Sequence, residues 1–292
     1  MSISSRKVAV VTGASRGVGK GIALALGAAG MTVYLSGRSL EHSTSTLRGQ
    51  PLPGSLLETA EAVTRAGGLG IPVACDHGED AQVEALFARV ERECGRLDLL
   101  VNNAALLHEN LIDPGPFWGK PLELVEILDV GLRSAYVASY YAAPLLVRGG
   151  AGLVVFISSF GAGCYMHGPA YGAQKAGCDK LAADMAIDFE HSDVAAVSLW
   201  IGPQRTERTA IAVQAREAEY EAFLGQLETP QFNGRIIHAL LEDPARMSLS
   251  GQTLISAELA DGYGIREDAG RQPPSYRQML GAPRQQHPAR VL

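Results

Sequence analysis

The sequence predicts an α/β fold, three layers deep, built on a seven-stranded and mostly parallel sheet. Three observations carry that prediction. Seven short apolar, β-branched runs of the kind buried on both faces recur along the chain, separated by segments with apolar residues at helical spacing. Glycine makes up 33 of 292 residues, an excess over the usual ~7% that falls at strand-to-helix junctions, where backbone passes close to a ligand. A hydrophobic content of 47% is enough for a large core, and the patterning runs on without a polar linker, so one domain over residues 1–292 is expected.

The formal net charge of -6 argues against a nucleic-acid partner. No apolar run approaches the ~20 residues of a membrane span, and Met1-Ser2-Ile3-Ser4-Ser5 lacks the apolar core of a signal peptide, so a cytoplasmic protein is expected. Cys75, Cys94, Cys164 and Cys178 are scattered without metal-ligand spacing. They read as reduced thiols, and no metal site is suggested.

In chain order, Lys7 to Val11 is a compact strand that runs into Thr12-Gly13-Ala14-Ser15-Arg16-Gly17-Val18-Gly19 and then into a helix with the apolar stripe Val18, Ile22, Ala25, Leu26 and Ala29. Glycines 13, 17 and 19 allow a tight turn and a close approach to a pyrophosphate, which the N–H groups and dipole of the helix N-terminus stabilise. The spacing differs from the commoner G-x-G-x-x-G, and strand before and helix after favour phosphate binding over a turn alone. A second strand, Met31 to Ser36, ends at Gly37-Arg38 where an acidic residue would bind a ribose 2′-hydroxyl. Residues 39–55, with Pro51, Pro53 and Gly54, are too long for an ordinary connection and read as an inserted loop. A helix near 56–66 precedes strand Leu69 to Ala74, which ends in Cys75-Asp76-His77; Asp76 is either an acceptor for an adenine amino group or a helix cap. Helix Glu79 to Glu93 leads to strand Leu97 to Val101 and to Asn102-Asn103-Ala104-Ala105, whose amides suit ties between strands and whose alanines let a cofactor lie close.

Phe117 and Trp118, among Pro114, Pro116 and Pro121, are expected to pack a loop rather than bind a base. An apolar-striped helix follows over 124–147. Strand Leu153 to Ile157 ends in Ser158-Ser159, at the carboxyl end of the sheet where open α/β folds bind ligands. The stretch SFGAGCYMHGPAYGAQK then carries Tyr171 and Lys175, one turn apart on a helix starting near Pro169. A lysine ammonium one turn from a phenol favours the phenolate, which makes the tyrosine a usable acid or base, and a serine hydroxyl across the loop suits a carbonyl oxygen. Cys164, Tyr165, His167 and His108 fit either a pocket wall or solvent-facing loops. Further helical patterning covers 206–227, a helix with a Thr229-Pro230 start covers 228–241, and a strand covers 251–256. From Pro273 onward Pro, Arg and Gln dominate, and the final ten or so residues are expected to be poorly ordered.

The set Thr12-Gly13-x-x-x-Gly17-x-Gly19, Asp76, Asn102-Asn103-Ala104, Ser158-Ser159 and Tyr171-x-x-x-Lys175, in this order, resembles the short-chain dehydrogenase/reductase family over roughly residues 6–260. The resemblance implies a Rossmann-type doubly wound three-layer sandwich and reversible, dinucleotide-dependent reduction of a carbonyl to a secondary alcohol. It implies Tyr171 as proton donor, Lys175 as the residue that lowers its pKa and binds the nicotinamide ribose, and Ser159 as carbonyl polariser, with Ser158 the alternative by spacing. Gly13, Ser15, Arg16, Gly17, Val18, Gly19, Arg38, Asp76, Asn103, Ala104 and Thr206 join Tyr171 and Lys175 as cofactor contacts. Residues 206–241 would form the substrate lid. The helices at 124–147 and around Tyr171 would build a homodimer or homotetramer, with Ala135, Ala138, Ala142, Ala143, Ala182, Ala183 and Ala186 permitting close approach. The insert and the 273–292 tail resemble a less studied subgroup.

Two positions depart from the family pattern. Gly131 stands where a proton-relay asparagine is usual, and Gly202-Pro203 replaces the usual Pro-Gly. They keep open a silent dinucleotide-binding or scaffold protein, and fold alone leaves room for another Rossmann enzyme such as an epimerase. Gly37-Arg38 repels no 2′-phosphate, and Arg16 and Arg38 suit its oxygens, so NADP(H) is expected over NAD(H).

Overall fold

The structure, a computed structural model, describes residues 6–43, 45–215 and 224–291. Its strands are β1 (Val8–Thr12), β2 (Thr32–Gly37), β3 (Thr46–Leu47), β4 (Gln50–Pro51), β5 (Leu69–Ala74), β6 (Leu99–Asn102), β7 (Leu153–Ser158), β8 (Ala195–Trp200) and β9 (Thr253–Ile255). Seven of them form one sheet in the order β5-β2-β1-β6-β7-β8-β9. Every neighbouring pair is parallel, so the sheet is parallel throughout rather than mostly. The order reverses between β1 and β6, and ligands of such folds bind at the carboxyl ends of the strands at that switch point.

Strand alternation divides the core into two layers. Ala9, Val11, Val33 and Leu35 face α1 (Gly17–Ala28) and α2 (Leu56–Arg65) through Ile22, Leu26, Leu56 and Val63. Val8, Val10, Val154 and Phe156 face the opposite side, covered by α3 (Asp80–Cys94), α4 (Ser134–Gly149) and α5 (Pro169–Asp188) through Leu86, Val90, Ala142, Leu146 and Ala182. The expected start of the Tyr171 helix holds, since Pro169 is the first residue of α5 and tolerates the missing N–H there. After β8 come α6 (Glu207–Ala215), α7 (Pro230–Glu242) and α8 (Ser256–Gly262). Within the expected lid helix, 216–223 lie outside the described residues.

Several expectations change. The insert is not all loop: β3 and β4 pair as an antiparallel hairpin, turned by Arg48 and Gly49 at φ 51° and 76°, the positive pair a tight two-residue hairpin turn requires. Its end is a helix start, where Ser55 Oγ accepts from the Glu58 N–H at 3.1 Å. The helix expected over 124–147 is broken. A 3₁₀ segment, Leu122–Ile127, gives way at Val130 and Gly131 before α4 begins. Gly131 has φ 154°, and a Cβ there would lie 3.2 Å from Gln174 Cγ, so the kink falls where a side chain is both strained and crowded. Phe117 and Trp118 pack edge-on against each other at 5.3 Å but are exposed, Trp118 at 78%, because the 3₁₀ turn carrying them stands off the core. Ahead of the final ten residues, Tyr276 is buried and Arg277–Leu280 forms a helical turn.

Candidate active site

Three side chains meet where β7 ends and α5 begins. Ser159 Oγ lies 2.9 Å from Tyr171 Oη and accepts from the Gly161 N–H at 3.2 Å, which holds the serine at the head of its turn. Ser158 points the other way and donates to the Lys175 carbonyl at 3.2 Å. The residues alternate because β7 is extended to its last position, so only one of two adjacent serines can face the tyrosine. Lys175 stacks one turn below Tyr171, its Nζ 5.4 Å from the ring centroid and donating to the Ile157 carbonyl at 3.1 Å. One turn further, Asp179 accepts from Ser198 Oγ at 2.6 Å and through both oxygens from Trp200 Nε1 at 3.1 and 2.9 Å. Burial pushes the Asp179 carboxyl above its usual range, and these bonds oppose the shift. His167 packs edge-on against Tyr171 at 5.1 Å.

The glycine loop is organised by Thr12. Its hydroxyl accepts from the N–H groups of Asn103 and Ala104, both at 2.9 Å, and donates to the Val101 carbonyl. Asn103 closes the arrangement by donating through Nδ2 to the carbonyls of Thr12 and Gly13 at 2.8 and 3.2 Å. Asn103 and Ala104 thus brace the loop, and a Cβ on Gly13 would stand 2.9 Å from Ala104 Cα. Ser15 is buried, and the Val18 side chain packs into the core beneath α1. Gly17, at φ 56°, offers its N–H at the start of α1, and Glu207 Oε2 accepts from it at 3.0 Å. A carboxylate therefore sits at the helix N-terminus, which shows that the loop suits an anionic group. Thr206 packs on the same glycine, 3.7 Å from where its Cβ would be, and its hydroxyl accepts from the Thr209 N–H.

Arg16 is tied to the insert. Its Nη2 donates to Ser39 Oγ at 3.0 Å and Ser43 Oγ at 2.6 Å, and its Nε to the Pro53 carbonyl at 3.1 Å. Burial holds its pKa below the usual guanidinium value; Glu207 opposes that shift and Arg38 adds to it, so the two arginines share one region. Arg38 is 64% exposed and reaches Asp76 at 4.0 Å. Asp76 Oδ1 accepts from the Gly78 N–H at 3.0 Å, a turn ahead of α3 whose N-cap is Glu79. Beneath them His77 is buried with Nε2 2.9 Å from Ser36 Oγ.

Three contributors were not singled out from sequence. Glu207, Gln174 and Glu228 act through contacts distant along the chain. Gln174 Nε2 donates to the Gly131 carbonyl at 2.8 Å, beside the position that lacks an asparagine. Glu228 is fully buried, accepting from Gln204 Nε2, Asn233 Nδ2 and Ser256 Oγ at 2.8, 3.0 and 3.0 Å. Gly202 is required beside it, since a Cβ there would lie 2.6 Å from Glu228 Oε1. The only sequence signal for Glu228 was a carboxylate directly before Thr229-Pro230.

A sequence model described as short chain dehydrogenase matches residues 7–218. The chain is 41% identical over 276 residues to dehydrogenase/reductase SDR family member 1 of Homo sapiens, covering 91% of this chain and 84% of that protein. Identity to the Mus musculus protein of the same name is 39% over the same span. Its fold matches the crystal structure of a short chain dehydrogenase from Mycobacterium thermoresistibile with a TM-score of 0.75 at 21% identity, covering 94% of this chain and 92% of that one. The Ser159–Tyr171–Lys175 cluster and the braced glycine loop stand in a chain that belongs to the short-chain dehydrogenase/reductase family of oxidoreductases.

Proposed function

We propose that the protein interconverts a carbonyl compound and a secondary alcohol with NADP(H) as the preferred dinucleotide. The observation that supports this reading best is the 2.9 Å contact between Ser159 Oγ and Tyr171 Oη, with the Lys175 ammonium against the same ring. When bound, the dinucleotide supplies or accepts the hydride. Gly13, Ser15, Gly17, Val18 and Gly19 would hold its pyrophosphate with Thr206, Asp76 its adenine, and Asn103, Ala104 and Lys175 its nicotinamide ribose side. A substrate oxygen placed between Ser159 and Tyr171 receives the serine's hydrogen bond, and in the reductive direction Tyr171 delivers the proton to that oxygen. Lys175 places positive charge beside the phenol as its proton leaves. Arg16 and Arg38, with no acidic residue at the end of β2, favour a 2′-phosphate. The four free cysteines suit a reducing cytoplasm, and the chain is read as a homodimer or homotetramer.

The test is a panel of ketones and aldehydes followed by NADPH absorbance, with Tyr171→Phe alongside. The variant should lose turnover by about a hundredfold or more, since only the transferable proton is removed, while dinucleotide affinity changes by less than about twofold. Wild-type turnover in the variant would refute the assignment. A second reading, a dinucleotide-binding protein without turnover, is favoured by the Gln174 amide engaging the Gly131 carbonyl; dinucleotide binding without turnover on any substrate would select it.

A further inference from the structure

A fully buried carboxylate lies beside the chain that leaves β8. Glu228 is 0% exposed, and the groups that donate to it are neutral: Oε2 accepts from Gln204 Nε2 at 2.8 Å and from Asn233 Nδ2 at 3.0 Å, and Oε1 accepts from Ser256 Oγ at 3.0 Å. Burial pushes the carboxyl above its usual range, and these bonds oppose the shift. Desolvating a carboxylate among neutral partners is costly. What it provides is the placement of the chain around it.

That placement joins two parts of the dinucleotide site. On one side Glu228 leads directly into α7, whose N-cap Thr229 accepts through Oγ1 from the Phe232 N–H at 3.2 Å. The head of α7 is wedged on α1: a Cβ on Gly21 would lie 2.1 Å from Pro230 Cβ, and one on Gly234 would lie 2.6 Å from Ala25 Cβ. Because α1 begins at Gly17, Glu228 stands at a fixed place relative to the glycine loop. On the other side it holds the turn 202–205. The Gln204 amide that donates to Glu228 also donates to the Gly202 carbonyl at 2.9 Å, and Asn233 Nδ2 donates to Gln204 Oε1 at 3.1 Å. The backbone repeats the tie, with Glu228 N–H donating to the Pro203 carbonyl and Arg205 N–H to the Glu228 carbonyl, both at 2.8 Å.

Both ends of this turn rest on the site. Before it, the Ile201 N–H donates to the carbonyl of Ser158, the neighbour of Ser159, at 3.4 Å. After it, Thr206 packs on Gly17, and Arg205 lines one cleft with Gly17 and Lys20. We propose that Glu228 is a positioning residue for dinucleotide binding, its carboxylate fixing the Gly202–Arg205 turn between the end of β7 and the glycine loop. This rests on the reading of the glycine loop and Thr206 as the dinucleotide site. It acts through Gln204, and the reacting pair Ser159 and Tyr171 is left untouched.

The experiment uses the full chain with Glu228→Gln and Gln204→Met, read by fluorescence titration with NADPH and by steady-state kinetics. Glu228→Gln keeps the shape and removes the charge, and Gln204→Met keeps the length and removes the amide that carries the carboxylate's hold to the turn. Each should raise the NADPH dissociation constant by about fivefold to tenfold, and KM for NADPH with it, while kcat at saturating NADPH and KM for the carbonyl stay within about twofold. The double variant should bind NADPH no more weakly than the weaker single variant, since the two side chains act as one unit. Wild-type affinity in Gln204→Met, a variant that leaves the buried carboxylate in place, would overturn the proposal. So would equal losses in NADPH affinity and in carbonyl KM, the mark of general loosening. If the wild type binds NADPH but turns over no carbonyl, the oxidoreductase reading fails and the titrations still decide the role of Glu228. A wild type that binds neither NADPH nor NADH would overturn both.

Discussion

Arg16 and Arg38 carry the same charge into one region but differ in freedom. Arg16 spends its Nε and Nη2 donors on the insert, whereas Arg38 is largely solvated and 4.0 Å from Asp76. Arg38 is thus the freer partner for a 2′-phosphate. Arg38→Ala should weaken NADPH about tenfold and leave NADH unchanged, a loss of ~1.4 kcal/mol that sits at the low end for a charge-assisted bond because the site is exposed. Fluorescence titration of both reduced dinucleotides checks it, and equal losses for the two would remove Arg38 from the phosphate site. His77 makes a prediction of another kind. Burial pushes its imidazole down to about 4, with Asp76 only partly opposing. Between that value and the ordinary ~6.5 the unfolded chain binds the extra proton, so stability falls as pH falls through this window. Going from pH 7 to pH 5 should cost roughly 2 kcal/mol from this group. Urea midpoints of wild type and His77→Gln at both pH values isolate it from Asp179 and Glu228, whose raised pKa values work in the opposite sense. An equal pH-dependent loss in the variant would rule the imidazole out.

At the scale of elements, the contact between the first residue of α6 and the first residue of α1 has a mechanical consequence. Glu207 places a carboxylate on the Gly17 N–H, the donor that the proposed reading assigns to the pyrophosphate. Dinucleotide binding there must displace it. Glu207→Gln should therefore tighten dinucleotide binding by about threefold to tenfold, since a surface helix-terminus charge contributes about 0.3–1 kcal/mol and an anion facing phosphate is removed as well. Weaker binding measured by calorimetry would show that Glu207 assists the cofactor. The break before α4 has a comparable origin. A helical period runs through 124–147, yet Gly131 at φ 154° and the Gln174 amide on its carbonyl stabilise a kink between two elements far apart in sequence. The 3.6-residue pattern cannot report a contact with α5.

For the whole molecule, the outward face of α4 bears on assembly. The alanines expected to let helices of two subunits approach are mostly turned inward: Ala135, Ala138, Ala142 and Ala182 are buried in the core layer against this chain's own sheet, and Ala183 is buried as well. Tyr136, Tyr140 and Val147 face out, Tyr140 at 64% exposure. If α4 pairs with its symmetry mate, these side chains are the contact. Sedimentation at micromolar concentration should show a dimer or tetramer, and Tyr140→Glu should raise the dissociation constant tenfold or more, about the cost of losing a central aromatic contact and burying a charge. A monomeric wild type would end the oligomer reading. Among the described residues no helix is long and apolar enough to cross a membrane, and no group of His, Cys, Asp or Glu is arranged to hold a metal ion.

The seven strands of the main sheet, the helix start at Pro169 and the spacing of Tyr171 and Lys175 were legible in the sequence, because each depends on local chemistry: β-branched runs, proline at a first turn, and side chains four residues apart on one helix; the doubly wound strand order came only with the family resemblance. The family's glycine loop was legible for the same reason. What only the tertiary structure decided were relations between segments far apart in the chain. Two serines side by side in sequence differ only in which face of an extended strand end each presents, and Tyr171 lies over the face of Ser159. Asp76 has both a turn to cap and an arginine to meet. Glu228 reads as a surface carboxylate until Gln204, Asn233 and Ser256 are brought around it, and nothing local marks Tyr276 as buried until it meets Phe160. Burial and partner geometry are properties of the assembled core, and composition and period carry no record of which distant residue completes a hydrogen bond.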